Sequence, residues 1–283
     1  MSFKDYDSGH KSQWCPGCGN FGLTHGMRVA FDKLNIPKEK IVVVSGIGCS
    51  GKTPHYFSTY GLETIHGRAL PAATGVRLAN PSLKVIVNMG DGDCYGIGMG
   101  HFIHAMRRNL DMVAIVHNNM IYGLTKGQTS PTTLEGEKTK STPHGSIETP
   151  VNPIALALSS GASFIARAFS GDALHLAELI EKALQHKGFA LIDVFQPCVS
   201  FNPTHSYGFF QQKIYNLQDE GHDVLDFNAA MIKAFETEKL PVGIFYHNHK
   251  HTYVDKLKQE EGSLLVDEDI SNVNVEDILN DYE

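Results

Sequence analysis

Short runs of β-branched residues alternate with helix-like patterns along most of the chain, and this alternation limits the possible folds more than any other feature. Patterns typical of buried strands cover residues 40–46, 83–93, 112–119, 163–169 and 190–198. Amphipathic helices are predicted at 96–109 and 171–188, where apolar residues recur at helical spacing. Strands that alternate with helices favour an α/β fold with a doubly wound, mostly parallel sheet, whose ligands bind at the carboxyl ends of the strands.

Composition narrows the classes of function. The formal net charge of −7 disfavours a nucleic-acid partner. No apolar run approaches the roughly 20 residues that a membrane span needs, and the polar amino terminus shows no apolar core of a secretory signal. We therefore expect a cytoplasmic protein without a membrane partner. Five cysteines in 283 residues are too few for a disulfide scaffold and are more typical of ligands or redox groups.

Two polar motifs follow neighbouring predicted strands. Gly90, Asp91 and Gly92 end one strand, and Asn119 ends the next after an intervening helix. Either motif alone is typical of an unrelated turn, but together they bring a carboxylate and a carboxamide to one edge of the sheet. Mg²⁺ prefers such oxygen ligands, with a backbone carbonyl near Ile121 as a third, and glycines allow a diphosphate to approach the backbone. This pattern predicts a site for magnesium and a diphosphate.

The segment Gly46–Thr53 matches the phosphate-binding pattern G-x-x-x-x-G-K-T after a strand. A true P-loop opens a long helix whose amino terminus holds the phosphates. Here Pro54 follows at once and Gly61 interrupts the next stretch, so this is a poor first helix. A P-loop nucleotide hydrolase remains an alternative function.

The stretch WCPGCGN contains Cys15 and Cys18 in a C-x-x-C pair, and three kinds of site use such a pair. It is typical of a thioredoxin dithiol, of half a zinc site or of half an iron–sulfur site. A thioredoxin motif follows a β-α-β unit, and the residues before Cys15 leave little room for one. Spacing alone does not separate zinc from iron.

Other segments carry weaker signals. Residues 125–153 are rich in Thr, Ser, Pro, Gly and Lys and predict a long loop that is functional or mobile. Residues 224–238 are predicted to be helical, and the acidic stretch 266–283 is predicted to be peripheral. The histidine-rich stretch 245–252 is interpreted as an exposed segment rather than a metal site.

The chain resembles the beta subunit of 2-oxoacid:ferredoxin oxidoreductases over roughly residues 10–210. The segments that carry the resemblance are WCPGCGN, GIGCSGKT, HGRALPAATG, GDGDCYGIGMGHFIHAMRRN and VHNNMIYGLTKGQTSPTT. The resemblance implies a thiamine-diphosphate-binding fold over 1–210 with an amino-terminal cluster-binding segment. It implies a carboxy-terminal extension, 211–283, packed on the same domain and ending in an acidic tail.

The resemblance also implies the site residues. Cys15, Cys18, Cys49 and Cys198 would hold one [4Fe–4S] cluster, which leaves Cys94 as a packed side chain. Asp91, Asn119 and the Ile121 carbonyl would hold Mg²⁺. Residues implied to contact thiamine diphosphate are Gly48, Cys49, Ser50, His66, Gly67, Arg68, Gly90, Asp91, Gly92, Asp93, Asn119, Leu124 and Thr125. Lys126 and Gln128 are candidates for binding the carboxylate of the substrate.

The implied activity is the CoA-dependent oxidative decarboxylation of a 2-oxoacid to an acyl-CoA and CO₂, with electrons passing through the cluster to ferredoxin. The motif LTKGQTSPTT resembles the branch of the family that acts on 2-oxoglutarate or on a broad range of 2-oxoacids, so 2-oxoglutarate is the favoured substrate and pyruvate is the alternative. The implied partner is an alpha (or fused alpha–gamma) subunit that carries a pyrimidine-binding module, because the chain contains one diphosphate module only, so we expect this chain alone to be inactive. A different class of function, a non-catalytic Cys₄ zinc scaffold, remains an alternative.

Overall fold

A computed structural model describes residues 2–257, 265–267, 269, 271 and 275–280. Its strands are β1 (Ile41–Ser45), β2 (Tyr60–Glu63), β3 (Lys84–Gly90), β4 (Met112–Asn118), β5 (Phe164–Phe169), β6 (Phe189–Phe195), β7 (Ile214–Asn216) and β8 (Leu240–His247). Its helices are α1 (Asn20–Lys33), α2 (Ala69–Ala79), α3 (Met99–Arg108), α4 (Pro153–Ser159), α5 (Ala173–Gln185), α6 (Tyr207–Lys213), α7 (Phe227–Ala234), α8 (Tyr253–Lys256) and α9 (Glu276–Asn280). None of these helices is long and apolar enough to cross a bilayer.

The strands form a single sheet in the order β2-β1-β3-β4-β6-β5-β8-β7. All neighbours run parallel except β5 and β8, which are antiparallel. The prediction of a doubly wound, mostly parallel sheet is therefore confirmed. Every predicted strand is present, as β1, β3, β4, β5 and β6, and these strands are almost fully buried because helices cover both faces of the sheet.

Helices α1 and α5 pack on one face of the sheet, and α2, α3, α4 and α7 pack on the other. Helix α5 begins where predicted, because the Asp172 side chain accepts a hydrogen bond from the backbone N–H of His175 at 3.1 Å. Its stripe of Leu176, Leu179 and Ile180 is buried against the sheet. These two layers fix the strand ends that carry the polar motifs.

Helix α1 was not predicted, since Gly22 and Gly26 weaken its helical pattern. Both glycines are needed for close packing. A Cβ atom on Gly22 would lie 2.0 Å from the Ser170 carbonyl oxygen, and one on Gly26 would lie 3.0 Å from the Ala173 carbonyl oxygen. The helix that follows the C-x-x-C pair therefore lies tightly against the turn between β5 and α5.

Two predicted helices differ from the observed ones. Helix α3 begins at Met99 rather than at residue 96, because a π-helical turn, Gly92–Ile97, precedes it. The helix predicted at 224–238 is observed as α7, which is shorter and covers Phe227–Ala234.

Strand β8 pairs with β5, so residues 240–247 extend the same sheet. Much of the acidic stretch 266–283 lies outside the described residues.

Candidate active site

A cavity of about 180 Å³ opens at the carboxyl edge of the sheet, where the segments after β1, β3 and β4 meet. Among its lining residues are many of those predicted to bind a cofactor or metal. They are Gly48, Cys49, Ser50, His66, Gly90, Asp91, Gly92, Asp93, Asn119, Ile121, Leu124 and Thr125. Gly67 and Arg68 lie beside the cavity at the start of α2, but they do not line it.

Asp91 lies at the base of this cavity and is 2% exposed. Its Oδ2 atom accepts a hydrogen bond from the Thr132 hydroxyl at 2.7 Å. Burial raises the pKa of Asp91 to about 6, although hydrogen bonds from Ser130 and Thr132 oppose this rise. A desolvated carboxyl group of this kind is stabilised in its charged form by a nearby cation.

Asn119 contributes an amide oxygen to the same cavity. Its Nδ2 atom donates a hydrogen bond to Gln196 Oε1 at 3.1 Å, and its Oδ1 atom accepts one from the Ile121 N–H at 3.2 Å. An amide oxygen has two lone pairs, so one remains available to a ligand. Asp91 and Asn119 therefore offer the hard oxygen ligands that were predicted for a magnesium ion.

Asp93 joins three loops around the cavity. Its Oδ1 atom accepts a hydrogen bond from the Gly67 N–H at 2.6 Å and lies 2.8 Å from His66 Nδ1. Its Oδ2 atom packs against Gly46, where an added Cβ would lie 1.9 Å away. Burial raises the pKa of Asp93, and the hydrogen bond from Gly67 and the charge of His66 oppose the rise. Asp93 therefore ties the segments of Gly46, His66 and Gly67 together beside the cavity.

Gly92 is also required for packing, a role that was not predicted. The Tyr122 ring occupies the space where a Cβ of Gly92 would lie, at 2.3 Å, and the Tyr122 hydroxyl donates a hydrogen bond to the Gly92 carbonyl at 3.0 Å. The space beside Gly90 is open apart from Ser50 Oγ at 3.4 Å. Ser50 Oγ is buried and has no hydrogen-bond partner among the described residues, so it is able to bind a polar ligand.

The segment that matches a P-loop does not have P-loop structure. It forms a short 3₁₀ helix, Ser50–Tyr56, which contains Pro54. The Lys52 ammonium donates a hydrogen bond to Gln13 Oε1 at 2.8 Å, and a Cβ on Gly51 would lie 2.5 Å from the Gly46 carbonyl oxygen. Gly46 and Gly51 allow close packing rather than phosphate binding, and the segment Ser50–Tyr56 does not begin a long helix. The alternative of a P-loop nucleotide hydrolase is therefore wrong.

Cys15, Cys18, Cys49 and Cys198 line a second cavity, of about 150 Å³. Cys15 and Cys18 precede α1, Cys49 follows β1, and Cys198 follows β6. The Trp14 indole N–H donates a hydrogen bond to the Cys49 carbonyl at 2.7 Å and fixes the two cysteine segments together. Cys49 also lines the first cavity, so the two cavities adjoin.

All of these cysteines are free thiols, and Cys18 and Cys49 are desolvated. Burial raises the pKa of Cys18 to about 12 and of Cys49 to about 11. Neither thiol is therefore activated as a nucleophile by its surroundings. Within the described ranges, no three His, Cys, Asp or Glu side chains converge to hold a single metal ion. Cys94 is fully buried in the hydrophobic core, as expected.

Comparisons with known proteins agree with this geometry. A family model described as "Thiamine pyrophosphate enzyme, C-terminal TPP binding domain" matches residues 46–194, and a model of the carboxy-terminal part of the pyruvate ferredoxin oxidoreductase beta subunit matches residues 198–261. The chain is 49% identical to the 2-oxoacid:ferredoxin oxidoreductase 1 subunit beta of Aeropyrum pernix, over 90% of this chain and 84% of the relative. The chain belongs to the family of 2-oxoacid:ferredoxin oxidoreductase beta subunits.

Two further relatives support this membership. The chain is 46% identical to the 2-oxoglutarate synthase subunit KorB of Archaeoglobus fulgidus, over 68% of this chain and 70% of the relative. A solved structure of the 2-oxoglutarate:ferredoxin oxidoreductase from Magnetococcus marinus matches with a TM-score of 0.91 and 37% identity, covering 100% of this chain and 96% of that one. That structure has 2-oxoglutarate, coenzyme A and succinyl-CoA bound.

The two residues predicted to bind the substrate of this beta subunit lie outside the first cavity. Lys126 lines the cysteine cavity and has a left-handed backbone, with φ of 77°. The Gln128 side chain closes a turn with Thr125, accepting from its hydroxyl at 2.5 Å and donating to its carbonyl at 2.8 Å. Gln128 is therefore already engaged within its own loop.

His117 and Gln196 also line the first cavity and were not predicted. The ring nitrogens of His117 lie 2.8 Å and 2.9 Å from the side chains of Asn20 and Asn88, and burial lowers the pKa of His117 to about 3. Both residues lie at the carboxyl end of a buried strand. A polar residue in that position was the available signal, because ligands of parallel sheets bind there.

The histidine-rich segment of the beta subunit is only partly exposed. His249 and His251 are exposed, as expected. The expectation is wrong for His247, which is half-buried and lies with its Nε2 atom 3.1 Å from Nδ1 of the buried His186. Burial and the neighbouring imidazoles lower the pKa of His186 to about 4, so it is neutral near pH 7.

Proposed function

We propose that this beta subunit provides the thiamine-diphosphate and iron–sulfur site for the CoA-dependent oxidative decarboxylation of a 2-oxoacid. The observation that carries the proposal is that Cys49 lines both the cavity of Asp91 and Asn119 and the cavity of the cysteines. A site for carbon chemistry thereby adjoins a site for electron transfer. The substrate that we favour is 2-oxoglutarate, which the names of two relatives contain, and pyruvate is the second candidate.

The first cavity has the polar groups that thiamine diphosphate and Mg²⁺ require. Asp91, the Asn119 amide oxygen and the Ile121 carbonyl would hold the metal, and the unpartnered Ser50 hydroxyl would donate to the cofactor. Thiamine diphosphate supplies an electron sink when a carboxylate leaves as CO₂. In this proposal Asp93 orients His66 beside the cofactor, and Tyr122 closes the cavity over Gly92 to exclude water.

The second cavity fits a cluster better than it fits a single ion. Zinc would draw four sulfurs to about 2.3 Å from one point, and no such convergence exists among the described side chains. A [4Fe–4S] cluster binds each thiolate to a different iron and so needs the sulfurs spread around a cavity. Burial raises the pKa of Cys18 and Cys49, so both are protonated thiols without a metal and would lose their protons on binding iron.

The remaining roles complete the proposal. Lys126, which lies in the loop between the two cavities, would bind the carboxylate of the 2-oxoacid, and Gln128 would hold the loop through Thr125. The predicted extension 211–283, as far as its described residues up to 257, would pack on the same domain, supported by the pairing of β8 with β5. An alpha (or fused alpha–gamma) subunit would supply the pyrimidine-binding module, and ferredoxin would accept the electrons.

The proposal is tested by anaerobic assays of the beta subunit with and without its alpha partner. We expect the pair to reduce ferredoxin only when a 2-oxoacid and coenzyme A are both present, faster with 2-oxoglutarate than with pyruvate. The beta subunit alone is expected to be inactive. Turnover by the isolated chain, or turnover that does not depend on a 2-oxoacid, would contradict the proposal.

A further inference from the structure

Gln196 lies between the two cavities and is in contact with both. It follows β6, is 1% exposed, and lines the Asp91–Asn119 cavity as well as the cysteine cavity. Its backbone N–H donates a hydrogen bond to the Asn118 carbonyl at 2.9 Å, which holds the main chain beside the end of β4. A polar side chain this deeply buried needs partners for all of its polar atoms.

The orientation of the Gln196 amide follows from those partners. Gln196 Nε2 lies 2.8 Å from the Pro197 carbonyl oxygen, which can only accept, so the NH₂ group must point there. The second N–H of the same group points to the Cys18 sulfur at 3.5 Å. Gln196 Oε1 is then the acceptor for Asn119 Nδ2 at 3.1 Å.

This orientation sets the orientation of Asn119 in turn. Since Asn119 Nδ2 donates to Gln196, the Asn119 amide oxygen faces the other way, where it accepts from the Ile121 N–H at 3.2 Å. Its second lone pair is left for the cavity. A flipped Asn119 would present an N–H group there, and an N–H group cannot bind a cation.

We propose that Gln196 is a positioning residue that serves both sites at once. Through Oε1 it holds the Asn119 amide oxygen toward the proposed metal, and through Nε2 it donates a hydrogen bond to Cys18 Sγ, the sulfur that would bind the cluster. This inference rests on the proposed function, because it needs Asn119 as a magnesium ligand and Cys18 as a cluster ligand. It goes beyond that function by assigning one side chain to the coupling of the two sites.

Each contact has a measurable consequence. Residues that orient a metal ligand typically change the affinity of the metal by about 10–100-fold when removed. An N–H donor to a cluster sulfur stabilises the additional negative charge of the reduced cluster, so its loss lowers the reduction potential. A merely structural role for Gln196 would lower stability without shifting either quantity in this direction.

The test compares Gln196→Met with Asn202→Ala in the complex with the alpha subunit. Methionine keeps the length of the side chain but has neither the donor nor the acceptor of glutamine. Asn202 is the matched control, because its buried side-chain amide donates to the Asn119 backbone carbonyl at 3.0 Å but contacts neither the Cys18 sulfur nor the Asn119 side chain, and alanine keeps the backbone N–H that faces Cys198. Magnesium affinity is measured by calorimetry with saturating thiamine diphosphate, and the cluster potential by an EPR-monitored redox titration.

For Gln196→Met we expect the Kd for Mg²⁺ to rise about tenfold. We expect the reduction equilibrium to shift against the reduced cluster by up to tenfold, which is about 59 mV for one electron. Asn202→Ala should leave both quantities close to those of the wild type. If Gln196→Met leaves either quantity unchanged, or if Asn202→Ala shifts both as strongly, the proposal is wrong.

Gln196→Glu is the second variant in case the methionine variant does not assemble. It keeps an acceptor opposite Asn119, loses the donor opposite Cys18 and adds a negative charge, so the reduction potential should fall while the Kd for Mg²⁺ rises less than in Gln196→Met. An unchanged potential in this variant also overturns the proposal. Failure of the underlying function looks different, because the wild-type complex itself would then lack the cluster or fail to bind thiamine diphosphate with Mg²⁺.

Discussion

Asp91 is the residue on which the proposed magnesium site depends. Burial and hydrogen bonding act on its charge in opposite directions. Burial disfavours its charge, while hydrogen bonds from the loop after β4 favour it. The Thr132 hydroxyl also lies 3.0 Å from Asn118 Oδ1, and Asn118 Nδ2 donates to the buried Asp193 at 3.1 Å. Arg167 pairs with Asp193 at 3.1 Å, so a buried ion pair fixes Asn118, the second acceptor within reach of the single Thr132 hydroxyl proton.

Replacing Thr132 tests this residue-scale account. Thr132→Val removes the donor to Asp91 and should raise the pKa of Asp91 further, so the Kd for Mg²⁺ should rise about tenfold in a calorimetric titration with thiamine diphosphate. Thr132→Ser should restore binding.

The control for this prediction is Thr133→Val. Thr133 holds the same loop through the Met120 carbonyl at 2.7 Å and the Ser130 N–H at 2.8 Å, but does not contact Asp91. If Thr133→Val weakens Mg²⁺ binding as much as Thr132→Val, loop stability rather than the Asp91 contact explains the effect.

At the scale of elements, close packing of α1 fixes the cysteine segment. The helix begins directly after Cys18 and Gly19, and the Gly19 N–H donates to the Pro197 carbonyl at 3.1 Å, which ties α1 to the segment that carries Cys198. The contact of Gly22 with the Ser170 carbonyl sets the distance between α1 and the sheet.

Two glycine-to-alanine substitutions test that packing. Gly22→Ala must push α1 away from Ser170 and should lower the free energy of unfolding by about 1–3 kcal/mol. Gly75→Ala, in the middle of α2 where no atom lies within 4 Å of the added Cβ, should raise it by about 0.5–1 kcal/mol. Urea denaturation of the purified chain measures both, and equal effects of the two substitutions would show that α1 is not closely packed.

The same elements show what the sequence could predict. The central strands were predictable because they are buried on both faces and read as continuous β-branched runs. Strand β2 is exposed along its length and β7 is short, so neither has such a run. Helix α1 was missed because its glycines serve a tertiary contact that no local pattern reveals.

The candidate site likewise has residues whose proximity the sequence predicts and residues whose proximity it does not. Asp91 and Asn119 follow β3 and β4, strands that neighbour each other in the chain as well as in the sheet, so their proximity was predictable. Gln196 reaches Asn119 because β6 pairs with β4, although another strand and two helices separate them in sequence. Tyr122 was missed because its role depends on a loop folding back over Gly92.

At the scale of the whole molecule, buried neutral histidines make stability depend on pH. The pKa values of His117, His186 and His205 are about 3, 4 and 4 in the folded chain, against an ordinary value of 6.5. Between pH 6.5 and 4 the unfolded chain binds protons that the folded chain does not, so stability falls as the pH falls. Asp91, with a pKa of about 6 against 3.8, acts in the opposite direction between these two values.

We therefore expect the free energy of unfolding of the chain to decrease below pH 6.5. Each histidine contributes about 1.4 kcal/mol per pH unit within its window, and Asp91 offsets about one of the three. Urea denaturation at pH 7, 6 and 5 measures this slope. A chain that is as stable at pH 5 as at pH 7 would show that these histidines become protonated in the folded state.

The central claim is that a thiamine-diphosphate site and an iron–sulfur site adjoin in this beta subunit. The most direct measurement is anaerobic co-purification with the alpha subunit, followed by analysis of iron, acid-labile sulfide, zinc and thiamine. The account predicts about four iron and four sulfide per beta chain, the content of one [4Fe–4S] cluster, together with bound thiamine diphosphate. Zinc in place of iron, with no thiamine bound, would contradict it.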